Sequence, residues 1–512
     1  MGFKVEQKIG KNVYIYEAES YWDKNKQQSR QRRKYVGKKD LKTGKVVTPQ
    51  RSNRPKLSKD YGTVYLLERM SKEIGLTKLL KEYFEDDYEK ILALVYFMIT
   101  DRQALYLYKD WVGSTYIGNN VYMTPKDISA FLHKLSECEL MRSKFLSTWT
   151  KKMGSNGAVV FDITSLSSYG TLNEYVKWGY NRDGEQLPQI NLGVVFSEEK
   201  RLPLFYKTYQ GSIPDVVTLK NMTTEIKAHG ISNTLFVLDR GFYSKGNINK
   251  ILEYKFNFII SASNTSSIIN KLLEKQYNNI MSSSAAFLYG KEIVHHVEED
   301  VVIGGNHLKA HIYYSDKRRS DEYNRFMRRL LEIEESIKLK EFKNEESARD
   351  FFGTVPSSYT KFFSITTLDG VIKINKNMEK INVRLEKMGT MILLTNTDRD
   401  RSSILDLYKR RDGIEKVFDT LKNDLHGNRI RVHSKDSMDG LMFIKFISLI
   451  LYSQILNTMK EKKLNKKYTV RELLQELKKL KKVEMVNGES YTTEISKKQR
   501  DILESFAVPV PL

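Results

Sequence analysis

Three acids in this sequence have the type and setting for metal-assisted chemistry. Asp162 ends the apolar run of VVFDITS, Asp239 ends that of FVLDRGF, and Glu415 lies in YKRRDGIEKVFDTLK, residues 408–422. Carboxylates at strand ends point into the crevice where α/β sheets place their sites. Each aspartate alone also suits a turn. On two strands of one sheet, the pair can share a divalent ion. Mg²⁺ takes oxygen ligands, one or two of them protein carboxylates, and leaves the rest of its shell to phosphate and water. Holding two such ions needs a third acid.

Helical phase points to Glu415 as that acid. With Tyr408 set at zero and about 100° per residue, Arg411, Glu415 and Lys422 fall near −60°, −20° and −40°. The wedge holds one metal-binding acid, two phosphate-binding cations and a phenol, beside an apolar stripe of Ile414, Phe418, Leu421 and Leu425. Asp412 and Asp419 project near +40° and +20°, outside the stripe's edge. Arg411 and Glu415 are also spaced for an ordinary intrahelical pair.

The elements that must position these groups are legible in the apolar patterning. AVVFDITSL reads as a strand ending on an acid. PQINLGVVFSEEKRLPLFYKTY reads as a hairpin, DVVTLKNMTTEIKAHG as a helix, NTLFVLDRGFYS as a strand, GNINKILEYK as a helix and FNFIISAS as a strand. That order predicts a mixed α/β sheet of the ribonuclease-H type. MGTMILLTNT returns as a strand, and the helix carrying Glu415 follows from about Ser402. Between them, residues 264–388 interrupt the sheet with strand-like runs and DEYNRFMRRLLEIEESIKLKEF, a long charged helix that suits a coiled-coil arm.

The expected organisation is therefore a basic β-rich unit at 1–60 and a helical DNA-binding domain at 61–152. The catalytic core occupies 153–263 and 389–440, the insertion domain 264–388, and a helical region 441–512. The last region carries two capping boxes, Thr469 to Glu472 and Ser496 to Gln499. VYIYEAESYWD and SRQRRKYVG read as two strands around the turn KNKQQ. From Lys24 to Lys59 there are fourteen Lys or Arg and one acid, Asp40. Arg30, Arg32, Arg33 and Lys34, with Tyr21, Trp22 and Tyr35 interleaved, suit a surface that tracks a nucleic-acid backbone. They suit a solvated arm as well.

Composition agrees with a polyanionic partner. The 512 residues carry a formal net charge of +22, and neutralising phosphates releases counterions. The single cysteine, Cys138, excludes an internal disulfide and a cysteine zinc site, and reads as a small buried hydrophobe. GLMFIKFISLILYSQIL comes closest to a membrane span, but Lys445 interrupts it and a core helix is expected. MGFKVEQKIGKNVY lacks the apolar core of a secretory signal, so a soluble, cytoplasmic protein is expected. There is no GxxxxGK[ST] and no HExxH, hence no nucleotide cofactor and no metalloprotease. His295 and His296 are adjacent on a predicted strand and face opposite ways. Phe242 and Tyr243 suit stacking on a flipped base and core packing equally.

The spacing Tyr408, Arg411, Glu415, Lys422 resembles the Y-R-E-K signature of bacterial insertion-sequence transposases. These are DDE enzymes of the IS-four group, and the chain looks most like the 1634 branch. FDITSLS and VLDRGFYS are similar to the family's blocks around its first two aspartates. RRKYVG and TVRELLQELKKLKKVEM resemble its ends. The resemblance implies a catalytic, metal-binding triad of Asp162, Asp239 and Glu415 working with two Mg²⁺ ions, or Mn²⁺ in their place. It implies cleavage at transposon ends and transfer of the 3′-OH into target DNA, with terminal inverted repeats and target DNA as partners. Tyr408, Arg411, Lys422 and Arg240 are the expected contacts to that DNA. Also implied are a homodimer in a paired-end complex, no membrane, and a place at the bacterial nucleoid. Two other readings use the same residues: a nuclease on this fold without strand transfer, and a non-catalytic DNA-binding derivative.

Overall fold

The computed structural model of the chain describes residues 2–23, 27–47, 54–101, 103–118, 121–154, 157–170, 173–229, 234–262, 266–368, 371–425, 427 and 429–511. Part of the expected KNKQQ turn lies outside them. The described residues gather into two compact units, 79–86 with 128–454, and 1–78 with 87–127 and 455–512.

In the second of these, β1 (Phe3–Ile9), β2 (Asn12–Asp23), β3 (Gln28–Lys39) and β4 (Val46–Val47) form one antiparallel sheet. Cross-strand register divides the basic residues of β3 between two faces. Arg30, Arg32 and Lys34 lie opposite Tyr21, Glu19 and Glu17, whereas Arg33 lies opposite Ala18. Side chains alternate along a strand, so the RQRRK run does not form one basic face. β5 (Pro55–Asp60) pairs with the strand Lys481–Met485, joining the two ends of the chain in a three-stranded sheet. Asp60, buried there, is bound by Lys481 and lies 3.5 Å from Lys478. Both capping boxes form as expected, at Thr469 and Ser496.

The larger unit is built on a ten-stranded mixed sheet. β6 (Ala158–Ser168), β7 (Gln189–Ser197) and β8 (Leu202–Gln210) are consecutive antiparallel neighbours. β9 (Leu235–Leu238) and β10 (Asn257–Ser261) continue the sheet on the other side of β6, parallel to it. These strands are near-continuous apolar runs because both faces of the sheet are covered. β6 runs on through Ser168, so Asp162 stands in mid-strand, not at the strand end the sequence suggests. β9 stops at Leu238, and Asp239 follows it. Past that point β6 is joined by β17 (Arg429–Ile430).

The region 264–388 divides. β11 (Ala286–Tyr289), β12 (Glu292–Ile303) and β13 (Asn306–Tyr314) extend the central sheet through β16 (Thr390–Thr395), which pairs with both β13 and β10. They do not form a separate β domain. Gly304 and Gly305, both at positive φ, close the β12–β13 hairpin, the conformation that a tight primed turn requires. The long helix Asp316–Lys338 is no lone coiled-coil arm. Phe326, Leu330 and Ile333 share one stripe and bury it against Phe362, Phe363, Ile381 and Met388, beside the hairpin β14 (Phe363–Leu368) and β15 (Val371–Lys376). The helix Lys435–Glu461 is long and apolar enough to cross a membrane, yet most of its apolar window is buried inside the protein. Cys138 is half-buried at the junction of two helices, short of the full burial expected.

Candidate active site

Register brings the two aspartates together. Phe161 pairs with Leu238 across the parallel strands β6 and β9. Asp162, the next residue of β6, turns to the opposite face, and Asp239 directly follows the end of β9. Beneath them Phe161 packs on Phe242 with ring centroids 5.1 Å apart. Phe242 is thus buried in the core and unavailable for stacking on a base.

On the aspartate face lies the segment carrying Glu415. The sequence suggests one continuous helix; the structure has two, Arg401–Lys409 and Asp412–Asp419, with a break at Arg410 and Arg411. Ile404 and Leu405 of the first pack on Leu235, Ile259 and Leu393 of the sheet. Gly413 opens the second against Phe196, whose ring atom would stand 3.1 Å from an added Cβ. After Asp419 the chain widens into a π turn, Thr420–Asp424, a local insertion often found at functional sites. Lys445, buried in its own helix, donates to the Leu425 carbonyl at 2.8 Å. Burial lowers its ammonium to about 8.

The three acids meet at one guanidinium. Arg411 Nη2 donates to Glu415 Oε1 at 3.0 Å, and Nη1 lies 3.7 Å from Asp162 Oδ2 and 3.8 Å from Asp239 Oδ2. Tyr408 donates its hydroxyl to Asp239 Oδ1 at 3.3 Å. Burial, then the charge of Asp239, raises the Tyr408 phenol above its ordinary value. Burial pushes the Asp162 carboxyl up to about 6, against the Ile163 amide and Arg411, which pull it down.

Four of the sequence-predicted residues therefore converge with Asp162: Asp239, Glu415, Tyr408 and Arg411. Lys422 does not reach the acids. It lies within the π turn, off the ideal helical phase, and both oxygens of Asp183 accept from it at 2.7 Å. Arg240 is exposed beside Asp239. Arg30, Arg32, Arg33 and Lys34 are exposed on β3, in the other unit. Arg30 pairs with Asp23 at 3.2 Å, and Arg32 lies over the Tyr21 ring. Sequence reasoning missed Asp183, Glu185 and Arg429; the available signal was the long connection between the strands containing Asp162 and Gln189.

The donor set suits a hard divalent ion, being three carboxylates from three elements. Arg411 now sits among them, and no three acids or histidines among the described residues are close enough together for a closed metal cage. What the arrangement offers is an oxygen-rich cleft balanced by one cation.

Glu198 lies next to this cleft. Its side chain is 8% exposed, and Arg410 Nε is 3.9 Å away. Burial pushes its carboxyl up to about 7 from 4.5, although Arg410 and Arg201 pull it back. A carboxyl whose folded pKa is raised stabilises the fold fully below its unfolded pKa, and that stability is lost as pH rises through the folded pKa. Between pH of about 4.5 and about 7 the wild type should therefore lose up to about 3 kcal/mol through this group. Glu198→Gln is expected to flatten this part of the stability–pH curve and to be the more stable protein at pH of about 8. Denaturant titrations at several pH values check this; parallel curves for the two proteins would refute it.

Residues 154–451, more than half the chain, match the family model described as a transposase DDE domain. No curated protein matches the sequence. Among solved structures, the chain is similar to the cryo-EM synaptic complex of piggyBac transposase with hairpin DNA. The identity is 12%, the match covers 81% of this chain and 76% of that one, and the TM-score is 0.37.

Proposed function

The chain belongs to the transposase DDE-domain family, and from that we propose that it is an insertion-sequence transposase. On this reading it cuts DNA at element ends and joins the 3′-OH to target DNA. The observation that carries the reading is the convergence of Asp162, Asp239 and Glu415, from three separate elements, on one cleft with Arg411 and Tyr408. The Tyr408, Arg411, Glu415, Lys422 spacing supports the IS-four group with its Y-R-E-K signature, and the 1634 branch within it. The order β8-β7-β6-β9-β10, with β7 antiparallel and β9 and β10 parallel to β6, supports a ribonuclease-H-like core. The other segments, from the β-rich N-terminal unit to the helical C-terminal region, would serve that core in binding and pairing ends. Two copies holding two ends, acting at the nucleoid, complete the proposal.

Asp162, Asp239 and Glu415 would hold two Mg²⁺ ions, or Mn²⁺. Such ions, when bound, activate the attacking water or 3′-OH and stabilise the leaving oxygen. The chain's own groups then have distinct tasks. Asp162 and Asp239 supply fixed carboxylates from a rigid sheet. Tyr408 orients Asp239 through its hydroxyl. Arg411, planar and always charged, balances the acids before substrate arrives and can then turn its fork to phosphate oxygens. No protein nucleophile is required.

Incubating the protein with Mg²⁺, labelled element ends and a plasmid target tests the reading. Joined products are expected. Ends that are nicked but never joined would make the protein a nuclease.

A further inference from the structure

Antiparallel neighbours in a sheet are usually joined by about 2–5 residues. Between β6 and β7 the connection is residues 169–188. Apart from one isolated bridge, its described residues form neither helix nor strand. The segment is nevertheless anchored. Lys177 and Gln189 exchange backbone hydrogen bonds of 3.0 and 2.9 Å. Gly179 passes so close to Gly211 that a Cβ there would lie 2.0 Å from the Gly211 oxygen. Arg182 donates to Ser165 Oγ at 3.1 Å, three residues beyond Asp162.

From this strap three carboxylates cross to three cations in the segment that follows Glu415. Asp183 accepts from Lys422 twice at 2.7 Å, Glu185 accepts from Arg429 at 3.0 Å, and Glu174 lies 3.8 Å from Lys435. Two strap rings lie against the same cations, Tyr169 at 5.5 Å from Arg429 and Tyr175 at 5.4 Å from Lys435. Trp178 and Tyr180 stand 66% and 83% exposed. Solvent-exposed ion pairs contribute at most about 1 kcal/mol each. Of the three pairs, Glu174 with Lys435 is open to water at both ends, whereas Lys422 is 13% exposed and Glu185 29%. Stability does not account for two large rings left in water.

We propose that the described residues of 173–188, with Tyr169 and with Lys422, Arg429 and Lys435, form a DNA-contact surface beside the candidate acids, on which Glu174, Asp183 and Glu185 hold the places that DNA phosphates take. Arg429 and Lys435 join Lys422 as phosphate-binding cations, and Trp178 and Tyr180 are stacking partners for bases. This rests on the transposase reading above. Hydrogen bonds from Ser167 and then Arg429 hold the Glu185 carboxyl below its usual range. Phosphate oxygens offer these cations the same charge-assisted bonds as carboxylates do. DNA binding is then an exchange, in which the strap acids are displaced from a surface that is already assembled.

The test uses the full chain in EDTA and a fluorescein-labelled duplex of about 30 base pairs and arbitrary sequence, followed by anisotropy at several salt concentrations. The triple variant Glu174→Gln, Asp183→Asn, Glu185→Gln should bind roughly tenfold more tightly than wild type. Arg429→Ala with Lys435→Ala should bind more weakly, with the slope of log K against log salt reduced by about 2. In the wild type, DNA should change amide hydrogen exchange in residues 173–188. A triple variant with an unchanged melting temperature and no gain in affinity would overturn the proposal. So would a wild type whose strap exchange ignores DNA, a measurement that needs no variant. Failure of the wild type to bind the duplex at all would instead sink the transposase reading itself.

Discussion

Glu415→Gln is expected to abolish metal-dependent strand cleavage while leaving DNA binding close to wild type. Glu415 is 57% exposed and accepts from Arg411 at 3.0 Å, so an isosteric amide fits without strain. What it removes is one of three negative charges available to divalent ions. Losing a single preorganised electrostatic group already costs about 10²–10³ in rate. On the proposed reading Glu415 also holds an ion, whose position would be lost with it, so a drop of more than about 10³ is expected. Asp162→Asn and Asp239→Asn should behave alike, because both carboxylates face the Arg411 guanidinium. Asp162 is the more revealing of the two. Its carboxylate is half-buried, and Asn can still accept the Ile163 amide that donates at 2.8 Å. Asp162→Asn should therefore melt no lower than wild type in EDTA, yet lose the stabilisation that Mg²⁺ gives. Cleavage of labelled DNA and paired melting curves decide the matter. Robust cleavage by Glu415→Gln would remove it from the triad and return attention to Asp412 or Asp419.

The second large effect is expected at Arg411. In the structure this residue is the counter-charge of all three acids, 17% exposed among them. Arg411→Ala leaves like charges facing one another across a half-buried cleft. Removing one partner from such a group costs far more than the pair is worth. The variant should melt lower than wild type in EDTA and gain more from Mg²⁺ than wild type does, because the ions replace a missing cation. Its cleavage rate should fall about 10²–10³-fold, as when one preorganised charge-stabilising donor is lost. Arg411→Lys should not restore the rate, since an ammonium cannot span three carboxylates or grip a phosphate with a planar fork. An Arg411→Ala protein with a wild-type melting curve in EDTA would show that the guanidinium does not balance the acids. Rate loss without that change would confine its role to substrate.

Much of the core was legible in the chain because strands buried on both faces are written as unbroken apolar runs. VVF before Asp162, FVL before Asp239 and ILL in the returning strand are of this kind, and the sheet assembles from them. The long helix Asp316–Lys338 was legible as a helix, but its apolar stripe says nothing of what covers it. Its partners Phe362 and Met388 lie far along the chain.

What the sequence singled out by itself is the set of candidate groups that the fold then brings together. Three acids, a tyrosine and an arginine stand out by type, by neighbouring apolar runs and by helical phase. All of these are local properties, carried by residues within one or two turns of one another. Tertiary structure decided the rest. A helical wheel assumes an unbroken helix, and the chain breaks at Arg410 and widens after Asp419. Lys422 is thereby turned from the acids to Asp183. Strand register set Asp162, in mid-strand, near Asp239 just past the end of β9, and it divided the basic run of β3 between two faces. The pairing of the strap at 169–188 with the cations at 422–435 spans more than two hundred residues of sequence. Contacts that distant depend on how separate elements pack, and no local periodicity encodes that.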